Sequence, residues 1–94
     1  MRLEFSSRAR ADLVAIADFI AADNPVRALS FVDEIEARFR RLCHMPQRGE
    51  RVRGRPGIRR IVHGRYLIFY RAEEERLVIL AVLGGEMDLE SILL

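Results

Sequence analysis

The sequence is poor in several features that mark particular classes of protein. A single cysteine, Cys43, cannot form an intramolecular disulfide, and residues 1–5 lack the apolar stretch of a secretion signal. The longest apolar run, residues 77–83, has seven residues, far fewer than the ~20 of a membrane-spanning helix. Six glycines and three prolines in a half-apolar chain of 94 residues exclude general disorder. These absences predict a soluble, cytoplasmic protein with a single domain over residues 1–94.

The chain also has no lysine, and its sixteen basic residues are all arginine. The net charge is only +2, but residues 44–71 contain eight arginines against one acid, Glu50. Residues 72–94 contain six acids against Arg76. The basic segment predicts a surface that attracts phosphates or an acidic protein partner. Pairing of these arginines with the acidic C-terminal third is the alternative.

Hydrophobic periodicity predicts a two-layer α+β domain. A short strand at residues 3–5 precedes an amphipathic helix over residues 7–22 and a second helix that starts at Pro25 with Asn24 as N-cap. The short link makes the two helices an antiparallel hairpin. After a long basic loop, an antiparallel meander is predicted from strands at residues 58–62, 66–70 and 77–83. We therefore expect the hairpin to pack on a sheet of three strands, or four if the N-terminal strand joins.

The last predicted strand, residues 77–83, is apolar on both faces, although one helical layer covers only one of them. The other face then needs a cover. Either a partner protein or the C-terminal Ile92, Leu93 and Leu94 can supply it. Residues 87–94 are predicted as a short terminal helix or a tail.

The sequence contains no recognisable catalytic or cofactor site. Cys43, His44 and His63 are too few for a closed zinc site, and neither a phosphate-binding glycine loop nor a nucleophilic triad is present. No metal and no cofactor are expected. Metal-free RNA cleavage remains open, because groups that stabilise a phosphorane or move protons lie on adjacent strands. They are Arg59, Arg60, His63, Arg65, Tyr66 and Tyr70.

The order of several short motifs resembles a known family. The motifs are Ala11-Asp12-Leu13 with Ile16, Phe19-Ile20-Ala21, Asn24-Pro25 with Ala28, Leu42 before Met45-Pro46 and Gly49, Gly57-Ile58-Arg59-Arg60, Tyr66-Leu67-Ile68-Phe69-Tyr70-Arg71, and Ile79-Leu80-Ala81-Val82-Leu83 leading to Met87-Asp88. In this order they resemble the toxins of type II toxin–antitoxin modules in the RelE/ParE superfamily. The long helical hairpin and the hydrophobic strand that runs into Met-Asp favour the ParE branch.

The resemblance implies a small toxin held inactive by a cognate ParD-like antitoxin, whose C-terminal helix and extended arm wrap an apolar groove of the toxin. In the ParE branch it implies poisoning of DNA gyrase without chemistry by the toxin, and a role in plasmid stabilisation. In the RelE branch it implies ribosome-dependent cleavage of mRNA. A non-toxic nucleic-acid-binding module is the third possibility.

Two departures from the family pattern bear on this choice. Gly84-Gly85-Glu86 stands where a basic cluster commonly follows the last strand, and no tyrosine follows Tyr70. The missing C-terminal catalyst argues against cleavage and for the ParE branch. The missing basic cluster indicates an altered or weakened contact with the target.

Two sets of residues are therefore candidates for function, and no residue is assigned a catalytic role. The target-binding candidates are Arg59, Arg60, Arg65, Tyr66, Glu86, Met87 and Asp88. The antitoxin-binding candidates, on the apolar stripe of the hairpin and the last strand, are Leu13, Ile16, Ile20, Val32, Ile35, Phe39, Leu77, Ile79 and Ala81.

Overall fold

A computed structural model of the chain describes residues 1–84 and shows the predicted helical hairpin. Helix α1 spans Ser7–Asp23 and α2 spans Pro25–His44. The Ser6 hydroxyl caps α1 by accepting the N–H of Ala9 at 3.0 Å. Asn24 serves both helices, because its own N–H closes the end of α1 on Ile20 while its side chain accepts the N–H of Arg27 at 3.0 Å. One residue thus ends the first helix and begins the second.

The sheet has five strands, one more than the largest number predicted. They are β1 Arg2–Phe5, β2 Glu50–Arg51, β3 Ile58–His63, β4 Tyr66–Ala72 and β5 Arg76–Gly84, in the order β1-β5-β4-β3-β2. The meander of β3, β4 and β5 is confirmed, and β1 joins it as a parallel neighbour of β5.

The additional strand β2 lies in the segment predicted as an irregular basic loop. It pairs with β3 through two positions only, Glu50 with Arg60 and Arg51 with Arg59. A two-residue strand of charged side chains has neither the apolar alternation nor the length that identifies a strand in a sequence. The prediction of a wholly irregular segment was therefore wrong at this point.

The main core lies between the hairpin and one face of the sheet. Its largest fully buried side chains include Phe31 and Phe39 from α2 and Tyr70 from β4. Leu77 and Ile79 of β5 have no exposed surface and complete this core below the helices.

A β-bulge shifts the alternation of side chains along the last strand, which is apolar on both faces. Phe69 of β4 pairs with Ala81 and Tyr70 pairs with Ile79, so Leu80 is the extra residue on β5. Beyond it, Val82 packs in the main core, whereas Ala81 and Leu83 belong to a second buried cluster on the opposite face. The prediction of two apolar faces is confirmed. The predicted cover by residues 92–94 and the predicted terminal helix or tail fall beyond residue 84, where the description ends.

Where β1 ends, side chains at the start of α1 form hydrogen bonds with the main chain of β5. The Ser6 hydroxyl donates to the carbonyl of Leu80 at 2.8 Å, and the N–H of Val82 donates to the Asp12 carboxylate at 3.0 Å. The last residue of β1 that pairs with β5 is Phe5, opposite Ile79. Two polar side chains therefore satisfy main-chain groups that would otherwise be buried without a partner.

Neither helix in residues 1–84 combines the length and apolar character needed to cross a membrane.

Candidate functional site

The structure places the two consecutive arginines of β3 on opposite faces of the sheet. Arg59 pairs in register with Tyr70, on the helical side, and Arg60 with Phe69, on the other side. The Arg59 guanidinium donates to the carbonyl of Gly49 at 2.8 Å. Arg60 forms an ion pair of 2.6 Å with Glu50 on β2. Both side chains are occupied by contacts within the chain and do not form one site.

Arg65 and Tyr66 do lie together, at the tight turn between β3 and β4. Gly64 has φ +61° at the first central position of this turn, a conformation that glycine adopts without strain. The turn and the hairpin enclose a cleft of about 490 Å³, lined by Phe19, Ile20, Arg27, Phe31, Glu34, His63, Gly64, Arg65 and Tyr66. Arg65 is exposed and has no ion-pair partner within residues 1–84. The other target-binding candidates, Glu86, Met87 and Asp88, lie outside the described residues.

His63 contributes a neutral imidazole to this turn cleft. Its ring packs edge-on against Phe31, with ring centroids 6.3 Å apart. Burial lowers the pKa of His63, and the nearby guanidinium of Arg38 lowers it further, while Glu34 opposes the shift. Glu34 is itself held by Arg27 in an ion pair of 2.6 Å. Among the described residues, the cleft therefore offers hydrogen-bonding groups and one cation without an ion-pair partner, Arg65.

The depressed pKa of His63 predicts a loss of stability in mild acid. The unfolded chain takes up a proton at the ordinary pKa of about 6.5, whereas the folded chain resists it until the pH is lower. The contribution of His63 is thus complete above pH ~6.5 and is lost as the pH falls through the folded-state pKa. We expect His63→Gln, which does not titrate, to lose less stability than the parent between pH 7.5 and 5.5. Urea unfolding midpoints at both pH values measure this, and equal losses in the two proteins would contradict it.

Four of the antitoxin-binding candidates surround one apolar cavity of about 220 Å³ between the hairpin and β1. Its lining residues are Leu3, Phe5, Leu13, Phe31, Val32, Ile35, Glu36 and Phe39. Val32 at its rim is 42% exposed, and Leu13 is half-buried. The cavity is large enough for one apolar side chain of a partner.

The remaining candidates are placed elsewhere. Ile16 and Ile20 are half-buried against the main core. Leu77 and Ile79 have no exposed surface, and Ala81, at 1%, lies in the second cluster on the opposite face of the sheet. Side chains enclosed in this way contribute to the chain's own core and present no surface to a partner.

The sequence analysis did not predict that apolar residues of the hairpin form an exposed surface. Phe19 is 75% exposed at the end of α1, and Val26 and Leu29, at 76% and 70%, follow on the outer face of α2. Val26, Leu29 and Val32 recur every three residues and lie along one line of the helix. Val32 was already a candidate, and its spacing from Val26 and Leu29 is the signal that could have identified these two, because it places apolar side chains outside the buried stripe of α2.

A second surface that the sequence analysis missed is a basic cleft at the C-terminal end of α2. It has a volume of about 380 Å³ and is lined by Arg38, Arg41, Leu42, His44, Met45 and Arg48. The sequence analysis placed Arg48 in the basic segment of residues 44–71 but did not include Arg38 and Arg41. Their spacing of three residues up to His44 was the available signal, but Arg48 joins them only through the course of the following loop.

That loop is fixed by Tyr70, whose side chain is fully buried. The Tyr70 hydroxyl accepts the N–H of Gly49 at 2.8 Å and donates to the carbonyl of Pro46 at 2.8 Å. Burial raises the pKa of Tyr70, so the hydroxyl keeps the proton that it donates. Tyr70 is thus an anchor for the segment that follows α2 and is unavailable as a proton donor to a substrate.

Comparison with known protein families gives a match over almost the whole chain. A family model described as "ParE toxin of type II toxin-antitoxin system, parDE" matches residues 3–89. A search of curated protein sequences found no significant match.

Three solved structures are similar in fold. A chain of the chromosomal ParDE toxin–antitoxin system from P. aeruginosa shares 27% identity with a TM-score of 0.77, covering 92% of this chain and 97% of that one. The isolated E. coli RelE toxin has 14% identity and a TM-score of 0.65, with coverages of 96% and 89%. A chain of the RelB–RelE complex from Methanococcus jannaschii has 16% identity and a TM-score of 0.55, with coverages of 86% and 88%.

Proposed function

The chain belongs to the ParE toxin family of type II toxin–antitoxin systems, and from this membership we propose that it inhibits DNA gyrase and is neutralised by a ParD-like antitoxin in the cytoplasm. The match over residues 3–89 carries the proposal. The matched range includes the hairpin, nearly the whole sheet and the turn cleft.

The exposed apolar residues of the hairpin support an antitoxin partner. Val26, Leu29 and Val32 form an apolar line on the outer face of α2, and Val32 also borders the cavity beside Leu13. Contiguous exposed apolar surface of this kind marks protein interaction sites. An amphipathic antitoxin segment can lie along this line and insert one apolar side chain into the cavity.

For the target contact we propose Arg65 and Tyr66. Arg65 is exposed at a rigid turn and has no acidic partner among the described residues, so its charge is free to pair with another protein. Arg59 and Arg60 are already engaged by Gly49 and Glu50. We infer that the toxin acts through binding alone and performs no chemistry of its own.

A ribosome-dependent ribonuclease is the second candidate, because one observation favours it. His63, with its lowered pKa, is neutral and lies in the turn cleft with Arg65 and Tyr66. A neutral imidazole beside a cation is suited to remove a proton from a ribose hydroxyl. Primer extension on mRNA after induction separates the two, since cleavage at ribosome-positioned codons occurs only with the ribonuclease.

The proposal predicts that the purified chain blocks DNA supercoiling by gyrase and that controlled expression causes growth arrest with filamentation. Co-expression of the small open reading frame beside its gene should restore growth. To locate the contact, we compare Arg65→Gln with Arg10→Gln, since Arg10 is also exposed and unpaired within residues 1–84 but lies on α1. A charge-assisted contact contributes ~1.5 kcal/mol or more, so Arg65→Gln should require roughly tenfold more toxin for half-inhibition. Arg10→Gln should behave like the parent.

Supercoiling that is unaffected by a large excess of the chain would reject gyrase as the target. Equal inhibition by the parent and both variants would leave gyrase as the target but place the contact away from Arg65.

A further inference from the structure

The basic cleft at the end of α2 collects positive charge that the acidic side chains of residues 1–84 do not neutralise. Arg38, Arg41 and His44 lie on the last two turns of the helix, and Arg48 follows from the loop. None of the acidic side chains in residues 1–84 lines this cleft. Holding guanidinium groups together without an acid creates a strong local positive potential.

The acids nearest in sequence are engaged elsewhere. Glu34 pairs with Arg27, Glu36 with Arg40 and Glu50 with Arg60, each at 2.6 Å. Neither Arg41 nor Arg48 has an ion-pair partner within residues 1–84. The charge of the cleft is thus available to an external anion.

The cleft is also held in shape by its surroundings. The Arg38 guanidinium donates to the carbonyl of Val62 on β3 at 3.1 Å, which ties the helix to the sheet. On the other side, the loop that carries Arg48 is anchored at Gly49 by the Tyr70 hydroxyl, at 2.8 Å. These contacts order the two walls, so the backbone positions that carry Arg38, Arg41 and Arg48 are fixed before any ligand arrives.

We propose that this basic cleft binds the phosphate backbone of duplex DNA. Guanidinium groups suit phosphate oxygens through paired hydrogen bonds. Within residues 1–84 the cleft is lined by no phenylalanine, tyrosine or tryptophan, and His44 is its one ring, so it lacks the row of aromatic side chains on which successive unpaired bases stack. Contacts restricted to phosphates give affinity without sequence selection.

Duplex DNA is favoured over duplex RNA because most of the positive charge of the cleft lies on helix α2. Arg38, Arg41 and His44 are on a helix, and the major groove of B-form DNA, about 12 Å wide, admits a helix. The major groove of A-form RNA is too narrow and deep for such an approach. The inference goes beyond inhibition of gyrase, because DNA is bound by the toxin itself.

The test is fluorescence anisotropy of a labelled 20-base-pair DNA duplex titrated with the full chain from 50 to 300 mM NaCl. The logarithm of the association constant should fall linearly with the logarithm of the salt concentration, by about 0.9 for each phosphate contact. Arg41→Gln should reduce that slope by about 1, and Arg41→Gln with Arg48→Gln by about 2.

The matched control is Arg40→Gln. Arg40 neighbours Arg41 on the same helix and is 72% exposed, but it is paired with Glu36 and does not line the cleft. The Arg40→Gln variant removes the same charge as Arg41→Gln but at a position outside the cleft. The salt dependence of DNA binding should therefore keep the slope of the parent. Circular dichroism of each variant confirms that the helices are intact.

Absence of binding, or an equal effect of Arg40→Gln and Arg41→Gln, would overturn the proposed site. Equal affinity for a single strand or for an RNA duplex of the same length would overturn the assignment to duplex DNA. No gyrase is present in this assay, so its outcome is independent of whether the chain inhibits supercoiling.

Discussion

Replacing Gly49 with alanine is expected to reduce the free energy of unfolding by about 3 kcal/mol. A Cβ atom at this position would lie 2.6 Å from the Tyr70 hydroxyl oxygen and 2.8 Å from the carbonyl oxygen of Arg60. The first neighbour belongs to a fully buried ring and the second to the backbone of β3, so neither can move without disturbing the sheet. The shift would also break the hydrogen bond from the Gly49 N–H to Tyr70, at 2.8 Å.

Urea unfolding of Gly49→Ala against Gly84→Ala measures this effect. A Cβ at Gly84 would meet no atom of residues 1–84 within 4 Å, and Gly84 does not have a positive φ. The control should therefore change stability only slightly. If the two variants unfold at the same urea concentration, the segment after α2 is not packed against Tyr70 as described.

Replacing Asp12 with alanine is expected to cost about 2 kcal/mol, because it leaves a buried main-chain donor without an acceptor. The Asp12 carboxylate accepts the N–H of Val82 at 3.0 Å, and Val82 is only 1% exposed. The ion pair between Asp12 and Arg8 adds little, since the Arg8 side chain is 42% exposed. Nearly all of the loss should come from the contact with β5.

Two further variants distinguish the loss of this hydrogen bond from the loss of the Asp12 charge and from a general effect of alanine on α1. Asp12→Asn keeps an oxygen that accepts the N–H of Val82 and should retain most of the stability. Asp18→Ala makes the same substitution at an exposed position of α1 and should be close to neutral. Thermal unfolding followed by circular dichroism gives the comparison, and a loss in Asp12→Asn as large as in Asp12→Ala would assign the effect to charge instead.

The helices were predictable because their ends carry local signals. Asn24 followed by Pro25 marks the boundary between α1 and α2 in the sequence, and the structure ends one helix and begins the other there. The N-terminal strand was also visible as a short apolar segment. Its parallel pairing with β5 depends on contacts between distant parts of the chain, and no local pattern specifies such pairing.

The bulge and the fifth strand show two further limits of the sequence. A continuous apolar run such as residues 77–83 has no alternation that would reveal the extra residue Leu80. β2 forms only because the loop anchored at Tyr70 brings Glu50 and Arg51 beside β3. In both cases the deciding interaction involves residues that are far apart in the sequence.

The candidate site was predictable only in part. Alternation along a strand already separates Arg59 from Arg60, and the structure places them on opposite faces. Arg65 was identified as a candidate for a functional basic surface, and the structure shows it exposed in the turn between β3 and β4. The basic cleft requires Arg48 to approach α2, and this approach follows from the position of Gly49 beside Tyr70.

The pairing of β1 with β5 makes the first and last strands of residues 1–84 neighbours in the sheet. β5 lies between β1 and β4 in the sheet. During synthesis on the ribosome, β1 and β4 therefore cannot pair with it until this later strand has been made. Until residues 76–84 have been translated, the helical hairpin cannot pack on a complete sheet, because Leu77, Ile79 and Val82 are missing from the main core. Long-range pairing of this kind slows folding. A nascent chain consequently completes the packing of its helical hairpin only after nearly all of residues 1–84 have been made.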